Sequence, residues 1–262
     1  MTAPDTSGPE RTAVPAAPSD HGLNPVREVR DFIRAALVEP VRRDHTESDA
    51  AFRRRRLVAL VTLLVGAVVL GFALRIRPGD PMFYVATLGL AGVWAVGALA
   101  SGPLHLGRAH TRAGGDNARP IVQSLALGAL LLALFLAGAV VVAQIPVLRD
   151  PVEHLLDHAR LGSLALVAVL TAVNAVAEEL YFRGALYSAV GRRHAVAITT
   201  VVYALTTAGA GIPLLVLAAG LLGLLTALQR RVTGGILGPV ITHLTWSLGM
   251  LFLLPVVLST GS

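Results

Sequence analysis

Long runs of apolar residues, separated by short polar or arginine-rich segments, dominate the chain from Leu57 onward. Seven runs are long enough, or nearly so, to cross the roughly 30 Å hydrocarbon layer of a bilayer as helices. They lie near 57–74, 83–100, 121–147, 161–180, 195–209, 212–228 and 235–258. The pattern predicts an all-α, polytopic membrane helical bundle of about seven transmembrane helices, with six to eight as the open range.

The chain ahead of the first apolar run has two parts. Residues 1–25 are rich in Pro, Ala, Ser and Thr and offer little to bury, so we predict a disordered tail. After them, apolar side chains recur at helical spacing, with arginines on other faces. This predicts an amphipathic helix that either lies on the inner leaflet or is solvated, followed by an arginine-rich linker up to residue 56.

Composition supports the membrane assignment. Hydrophobic residues make up 54% of the chain and charged residues 15%, a balance that cannot fold into one small water-soluble core. The absence of cysteine excludes disulfides, thiolate metal ligands and cysteine nucleophiles. All 22 basic residues are arginines, most of them at the edges of apolar runs, which favours bilayer anchoring over nucleic-acid binding. This residue usage also indicates a GC-rich bacterial genome.

The arginine distribution predicts the orientation. With the amino terminus inside and seven crossings, eighteen arginines fall in inner segments and four, Arg75, Arg77, Arg149 and Arg160, fall outside. Such an asymmetry satisfies the positive-inside rule, and the reversed topology would violate it. We therefore expect a multi-pass cell-membrane protein with a cytoplasmic amino terminus.

Two adjacent carboxylates and an arginine interrupt the fourth apolar run. Glu178, Glu179 and Arg183 follow seventeen uncharged residues, 161–177, and apolar residues continue after them. A helix starting near Leu161 would place Glu178 about 26 Å along its axis, near the inner boundary of the hydrocarbon. Ionisable groups buried at that depth mark function. In the alternative, the three residues cap an inner helix end in contact with headgroup water.

Helical spacing suggests separate roles for the two acids. Glu179 and Arg183 lie four residues apart with the acid first, the favourable order for a same-face ion pair. Thr171, Asn174 and Glu178 form a polar stripe on a neighbouring face. Because Glu178 has no charge partner at helical spacing, it could serve as a general base for water.

The last apolar run contains a second polar cluster, within GPVITHLTWSLGM. His243 and Ser247 share a helix face at i, i+4 spacing. A histidine in the core of a soluble protein usually makes structural hydrogen bonds. Inside a membrane span, hydrogen-bond partners are few and desolvation of the imidazole is severe. On the residues alone, a structural role for His243 and a catalytic or metal-binding one both stay open.

The stretch EELYFRG at 178–184 matches the EExxxR signature of the CAAX protease and bacteriocin-processing family (CPBP, or Abi). With His243 on a later helix, the chain resembles these intramembrane endopeptidases over roughly residues 120–258. The resemblance implies that Glu178 activates water, that Glu179 and Arg183 shape the site, and that the substrate is a peptide or membrane protein. The resemblance does not cover residues 57–119, which comprise two amino-terminal spans and a cytoplasmic loop ahead of the catalytic bundle.

Two of the expected polar positions depart from the family's motifs. The second motif, FxxxH, aligns with Tyr203-Ala-Leu-Thr-Thr207, which places Thr207 where a histidine belongs. The third motif, HxxxN or HxxxD, is represented by His243-Leu-Thr-Trp-Ser247, with Ser247 in place of the amide or acid. A catalytic zinc ion normally takes three protein ligands, so any zinc bound by Glu178 and His243 would lack the second-motif histidine.

Three functions follow from these residues. The leading hypothesis is a CPBP-type endopeptidase in which Glu178 activates water, with His243 and Ser247 donating hydrogen bonds to the oxyanion. Thr207 and Asn174 would then position water or substrate. The second is a catalytically impaired pseudoprotease that binds a membrane partner, suggested by the two departures. A small transporter is the third, although no pair of Gly/Pro-broken helices in corresponding halves supports it.

Overall fold

A computed structural model describes residues 25–42, 47–77, 79–110, 118–161, 163–191 and 193–260. Within these ranges the chain is helical, without β-strands, and contains one isolated bridge between Ala109 and Ala118. Six of the helices described are long and apolar enough to span a bilayer, and a further apolar helix, Ala195–Ala210, is shorter. The predicted all-α polytopic bundle of about seven helices is therefore confirmed. The predicted disordered tail, except for its last residue, lies outside the described residues.

The helices follow one another in a simple order. They are α1 (Pro25–Ile33), α2 (Asp49–Ala73), α3 (Met82–Ser101), α4 (Ile121–Val142), α5 (Pro146–Arg160), α6 (Leu164–Glu179), α7 (Tyr187–Val190), α8 (Ala195–Thr207), α9 (Pro213–Thr233) and α10 (Leu237–Thr260). A π-helical segment, Leu180–Leu186, connects α6 to α7 without a break, so these elements form a single span, Leu164–Val190. A second π-helical turn, Arg34–Val38, extends α1.

Local sequence sets several of these bounds. Ser48 caps α2, because its hydroxyl accepts a hydrogen bond from the backbone N–H of Ala51 at 3.3 Å. Pro213 occupies the first turn of α9, where a missing N–H is tolerated. Gly191 and Gly234 end α7 and α9 with φ angles of 88° and 72°, which glycine adopts without steric penalty.

Local sequence explains two of the differences from the predicted runs. The first was expected from residue 57, but α2 begins at Asp49 beneath the Ser48 cap, so the arginines at 53–56 lie within the helix rather than in a linker. The third was expected over 121–147, but α4 ends at Val142, and the residues from Pro146 form the separate amphipathic helix α5. Proline starts this helix, and its charged residues prevent it from continuing the span.

An aromatic cluster holds the π-helical segment in the bundle. Trp94 of α3 stacks on Tyr181 with ring centroids 4.6 Å apart and also contacts Phe182 at 5.2 Å. Tyr203 of α8 packs edge-on against Phe182 at 4.7 Å. The hydroxyl of Tyr181 donates to the carbonyl oxygen of Ala59 in α2 at 2.6 Å. The segment that follows the two glutamates is therefore fixed by three other helices.

Small residues allow α4 and α10 to pack closely. A Cβ atom at Gly128 of α4 would lie 2.7 Å from the Cβ of Thr245 and 2.9 Å from the carbonyl oxygen of Thr242, both on α10. Membrane helices usually associate by close packing at small residues, because the hydrophobic effect does not drive association between helices that are surrounded by lipid. The α4–α10 contact thus depends on Gly128.

We expect Gly128→Ala to destabilise the bundle. The added methyl group overlaps α10 and should lower the free energy of unfolding by about 1–3 kcal/mol, the usual range for overpacking. Gly138→Ala on the same helix is the matched control, since nothing lies within 4 Å of a Cβ there. Unfolding by SDS in mixed micelles measures both variants. Equal stability of the two would contradict this account of the contact.

Candidate active site

The two glutamates lie within a span and not at its end. Glu178 and Glu179 are the last two residues of α6. The π-helical segment and α7 continue the same span for eleven residues beyond Glu179, to Val190. Glu179 and Arg183 are both fully buried. The alternative that these residues cap a helix end in headgroup water is therefore wrong. π-Helical turns inside α-helices are frequent at functional sites.

The predicted ion pair between Glu179 and Arg183 is present. Nη1 of Arg183 donates to Oε1 of Glu179 at 3.0 Å. Nη2 donates to the carbonyl oxygen of Gly223 on α9 at 3.2 Å, and the guanidinium lies 4.6 Å from the ring centroid of Tyr203. Because a Cβ at Gly223 would be 3.1 Å from that ring, the glycine lets α9 approach the arginine. Arg183 is thus held by its own helix, α8 and α9.

His243 joins the same carboxylate from α10. Its Nδ1 lies 2.8 Å from Oε1 of Glu179, and the ring is buried. A carboxylate paired with arginine accepts hydrogen bonds, so Nδ1 carries the hydrogen and donates it. Among the described residues no group pairs with the other ring nitrogen, Nε2. Glu179 therefore orients the imidazole, as the carboxylate of a catalytic triad does.

Glu178 lies on the adjacent face and is half-buried. The hydroxyl of Tyr203 donates to its Oε2 at 2.6 Å. Its other oxygen, Oε1, has no hydrogen-bond partner in the described part of the chain. Tyr203 links Glu178 to the other residues, because its ring lies 4.6 Å from the Arg183 guanidinium and 6.4 Å from the ring centroid of His243. The structure thus brings the four predicted catalytic residues into one cluster.

The three predicted substrate-binding residues do not bond to this cluster. Thr207 donates to the carbonyl oxygen of Ala204 at 2.8 Å, within its own helix. The amide nitrogen of Asn174 donates to the carbonyl oxygen of Leu170 at 3.0 Å. Ser247 makes no hydrogen bond to any residue that the structure describes. Their roles stay predictions.

Several buried polar atoms on the elements that carry the cluster have no hydrogen-bond partner among the described residues. They are Oδ1 of Asn174, Oε2 of Glu179, Nε of Arg183, Oγ1 of Thr200 and Nε1 of Trp246. Leaving a buried polar group unpaired costs about 1–3 kcal/mol, so such groups usually bind water or a polar ligand. These five atoms lie on α6, the π-helical segment, α8 and α10, and others lie on α4, α5 and α9, so they do not by themselves mark the site.

The donor set does not fit a catalytic zinc ion. Such an ion takes three protein ligands, and the described residues contain no group of three His, Asp or Glu side chains placed to share one. Oε1 of Glu179 is already shared by Arg183 and His243, and Tyr203 binds Oε2 of Glu178. The predicted pair of Glu178 and His243 would supply two ligands.

Two residues that support the cluster were not predicted as site residues. The alignment with FxxxH placed Tyr203 only at the aromatic position. Its hydroxyl group, which phenylalanine lacks, was the feature that could have indicated a polar role. Arg230 was counted as an inner-leaflet arginine, but it is buried and its Nε donates to the carbonyl oxygen of Arg183 at 2.7 Å. No spacing rule links it to a residue on another helix.

Residues 160–249 match the family model described as Rce1-like, Type II CAAX prenyl endopeptidase Rce1-like. This part of the chain is an Rce1-like domain. It belongs to the CPBP family, so the predicted resemblance is confirmed for these residues. The Rce1-like family is a family of proteases. Comparisons with curated proteins and with solved structures give no match.

The Rce1-like domain covers roughly a third of the chain, from the end of α5 to the middle of α10. It contains Glu178, Glu179, Arg183 and His243, and also Tyr203 and Arg230. The four helices before α5 lie outside it, and of these α4 had been included in the predicted catalytic bundle, 120–258. The contacts that join Glu178, Glu179, Arg183, Tyr203 and His243 are therefore made within the Rce1-like domain.

Proposed function

We propose that the Rce1-like domain is an intramembrane endopeptidase in which Glu178 activates the attacking water. The observation that carries this proposal is the placement of Glu178. One carboxylate oxygen is held by Tyr203 at 2.6 Å and the other has no partner among the described residues, beside an imidazole oriented by Glu179. A carboxylate in this state can accept a proton from a bound water.

The reaction uses water and a peptide bond. Oε1 of Glu178 takes one proton from water as the water oxygen bonds to the peptide carbonyl carbon. The carbonyl oxygen becomes an oxyanion, which His243, when both ring nitrogens carry hydrogen, stabilises through Nε2–H while Nδ1–H stays bonded to Glu179. The C–N bond then breaks, and the proton held by Glu178 passes to the leaving nitrogen. The products are a carboxylic acid and an amine.

The substrate is a peptide or membrane-protein segment within the bilayer of the cell membrane. We place cleavage toward the cytoplasmic side, because the arginine distribution orients the amino terminus inward and the glutamates lie in the later part of an inward-running span. The family name refers to type II CAAX prenyl endopeptidases. A carboxyl-terminal peptide carrying a lipid is therefore one substrate to include in the test.

A pseudoprotease is the second candidate. Thr207 stands at the histidine position of the second motif, and its hydroxyl donates to its own helix at Ala204. The residue therefore offers the site neither a base nor a free hydroxyl proton. In this reading the cluster binds a membrane partner without cleaving it.

Turnover in proteoliposomes tests the proposal. The purified chain, reconstituted with membrane-anchored peptides with and without a lipid group, should release fragments detectable by mass spectrometry. Because the donor set does not fit zinc, we expect a metal chelator to leave the rate unchanged within about twofold. Peptide binding without cleavage would favour the pseudoprotease, and a rate abolished by chelator and restored by zinc would contradict the metal-free mechanism.

A further inference from the structure

The second motif departs from FxxxH at both of its named positions. Tyr203 stands at the phenylalanine position and Thr207 at the histidine position. The two residues are four apart on α8 and so share a helix face. In the structure the hydroxyl that distinguishes tyrosine from phenylalanine is the group that bonds Glu178. The departure at position 203 therefore supplies a hydrogen bond to the proposed base.

We propose that Tyr203 is a positioning residue for Glu178 and replaces the polar group that the second motif provides from position 207. This inference rests on the proposed function of Glu178. The Tyr203 hydroxyl donates to one carboxylate oxygen of Glu178 and so fixes the rotation of the carboxyl group. The other oxygen is then the one that receives water.

Packing fixes the phenol itself. The ring of Tyr203 is buried, packs against Phe182 at 4.7 Å and lies under the Arg183 guanidinium at 4.6 Å. The close approach of Gly223 confines it on the α9 side. A ring enclosed in this way cannot move to follow Glu178, so the carboxylate takes its position from the phenol. Hydrogen bonds to carboxylates are among the strongest that a neutral donor makes.

Thr207 cannot take over this task. Its hydroxyl proton is donated to the carbonyl oxygen of Ala204, and no hydrogen bond joins Thr207 to Glu178 among the described residues. A histidine at this position would extend from the same face of α8, one turn beyond Tyr203. Combining Tyr203→Phe with Thr207→His would therefore restore the family pattern at both positions.

The test compares Tyr203→Phe with Tyr181→Phe in the reconstituted full chain. Both tyrosines are buried in the same aromatic cluster and each donates one hydrogen bond of 2.6 Å, but Tyr181 bonds the carbonyl oxygen of Ala59. We expect Tyr203→Phe to lower kcat about 10²-fold with KM unchanged, because misplacing a catalytic group by about 1 Å has effects of this size. Tyr181→Phe should keep kcat within about threefold, and its effect should be confined to stability.

The double variant Tyr203→Phe with Thr207→His should regain at least tenfold of the lost kcat. Equal kcat for the unaltered chain and Tyr203→Phe would overturn the inference and leave the role of Glu178 intact. Equal losses in the two single variants would also overturn it, as would a double variant that folds but regains no rate. If the unaltered chain cleaves no peptide, the proposed function fails and this inference fails with it.

Discussion

Glu178→Gln should lose hydrolytic activity almost completely while keeping the fold. The amide oxygen of glutamine can still accept the hydrogen bond from Tyr203, which is 2.6 Å in the unaltered chain. The amide nitrogen, however, cannot accept a proton from water. General-base catalysis contributes roughly 10²–10⁴-fold, so kcat and kcat/KM should fall together by this factor. Initial rates on a membrane-anchored peptide in proteoliposomes measure the loss.

Glu153→Gln is the matched control for this substitution. Glu153 also lies on a helix, α5, but its carboxylate is partly exposed and paired with Arg149 at 3.7 Å. We expect its turnover to equal that of the unaltered chain. A Glu178→Gln variant that retains activity within about threefold would show that another group activates the water, and the mechanism would then have to be rebuilt around His243.

Local patterns predicted most of the fold. Apolar run length gave the spans because bilayer thickness fixes how many residues a helix needs, and the structure contains six such helices and the shorter one among the described residues. Run length could not give the start of α2. Arginine forms helices readily, so the Ser48 cap, rather than the first apolar residue, decides where this helix begins. The π-helical segment has no simple signature in hydropathy.

The site was predictable only where its contacts are local. The Glu179–Arg183 pair spans four residues, and helical geometry predicted it directly. The bonds from His243 to Glu179 and from Tyr203 to Glu178 span 64 and 25 residues. Such contacts depend on how α8 and α10 pack against α6, which no single-helix pattern contains. For this reason His243 was predicted as a donor to the oxyanion, and its hydrogen bond to Glu179 was not predicted.

Arg183→Met should strongly destabilise the bundle. It removes the donor that is 3.0 Å from a fully buried carboxylate and also the donor to the carbonyl oxygen of Gly223. Breaking a buried ion pair from one side costs about 3–5 kcal/mol, because an uncompensated charge stays buried. We expect about 3 kcal/mol, the lower end, because His243 remains hydrogen-bonded to Glu179. The free energy of SDS-induced unfolding in mixed micelles measures the change.

Two further variants separate loss of the charge pair from loss of packing. Arg27→Met removes an exposed pair with the same i, i+4 spacing, Arg27–Asp31, and should change stability by less than about 0.5 kcal/mol. Combining Arg183→Met with Glu179→Gln removes both charges and should recover a large part of the lost stability, because a neutral buried pair avoids the desolvation penalty. This double variant should stay inactive, since His243 then lacks the carboxylate that orients it. If it is no more stable than Arg183→Met alone, the packing of the guanidinium against Tyr203, rather than its charge, holds the site together.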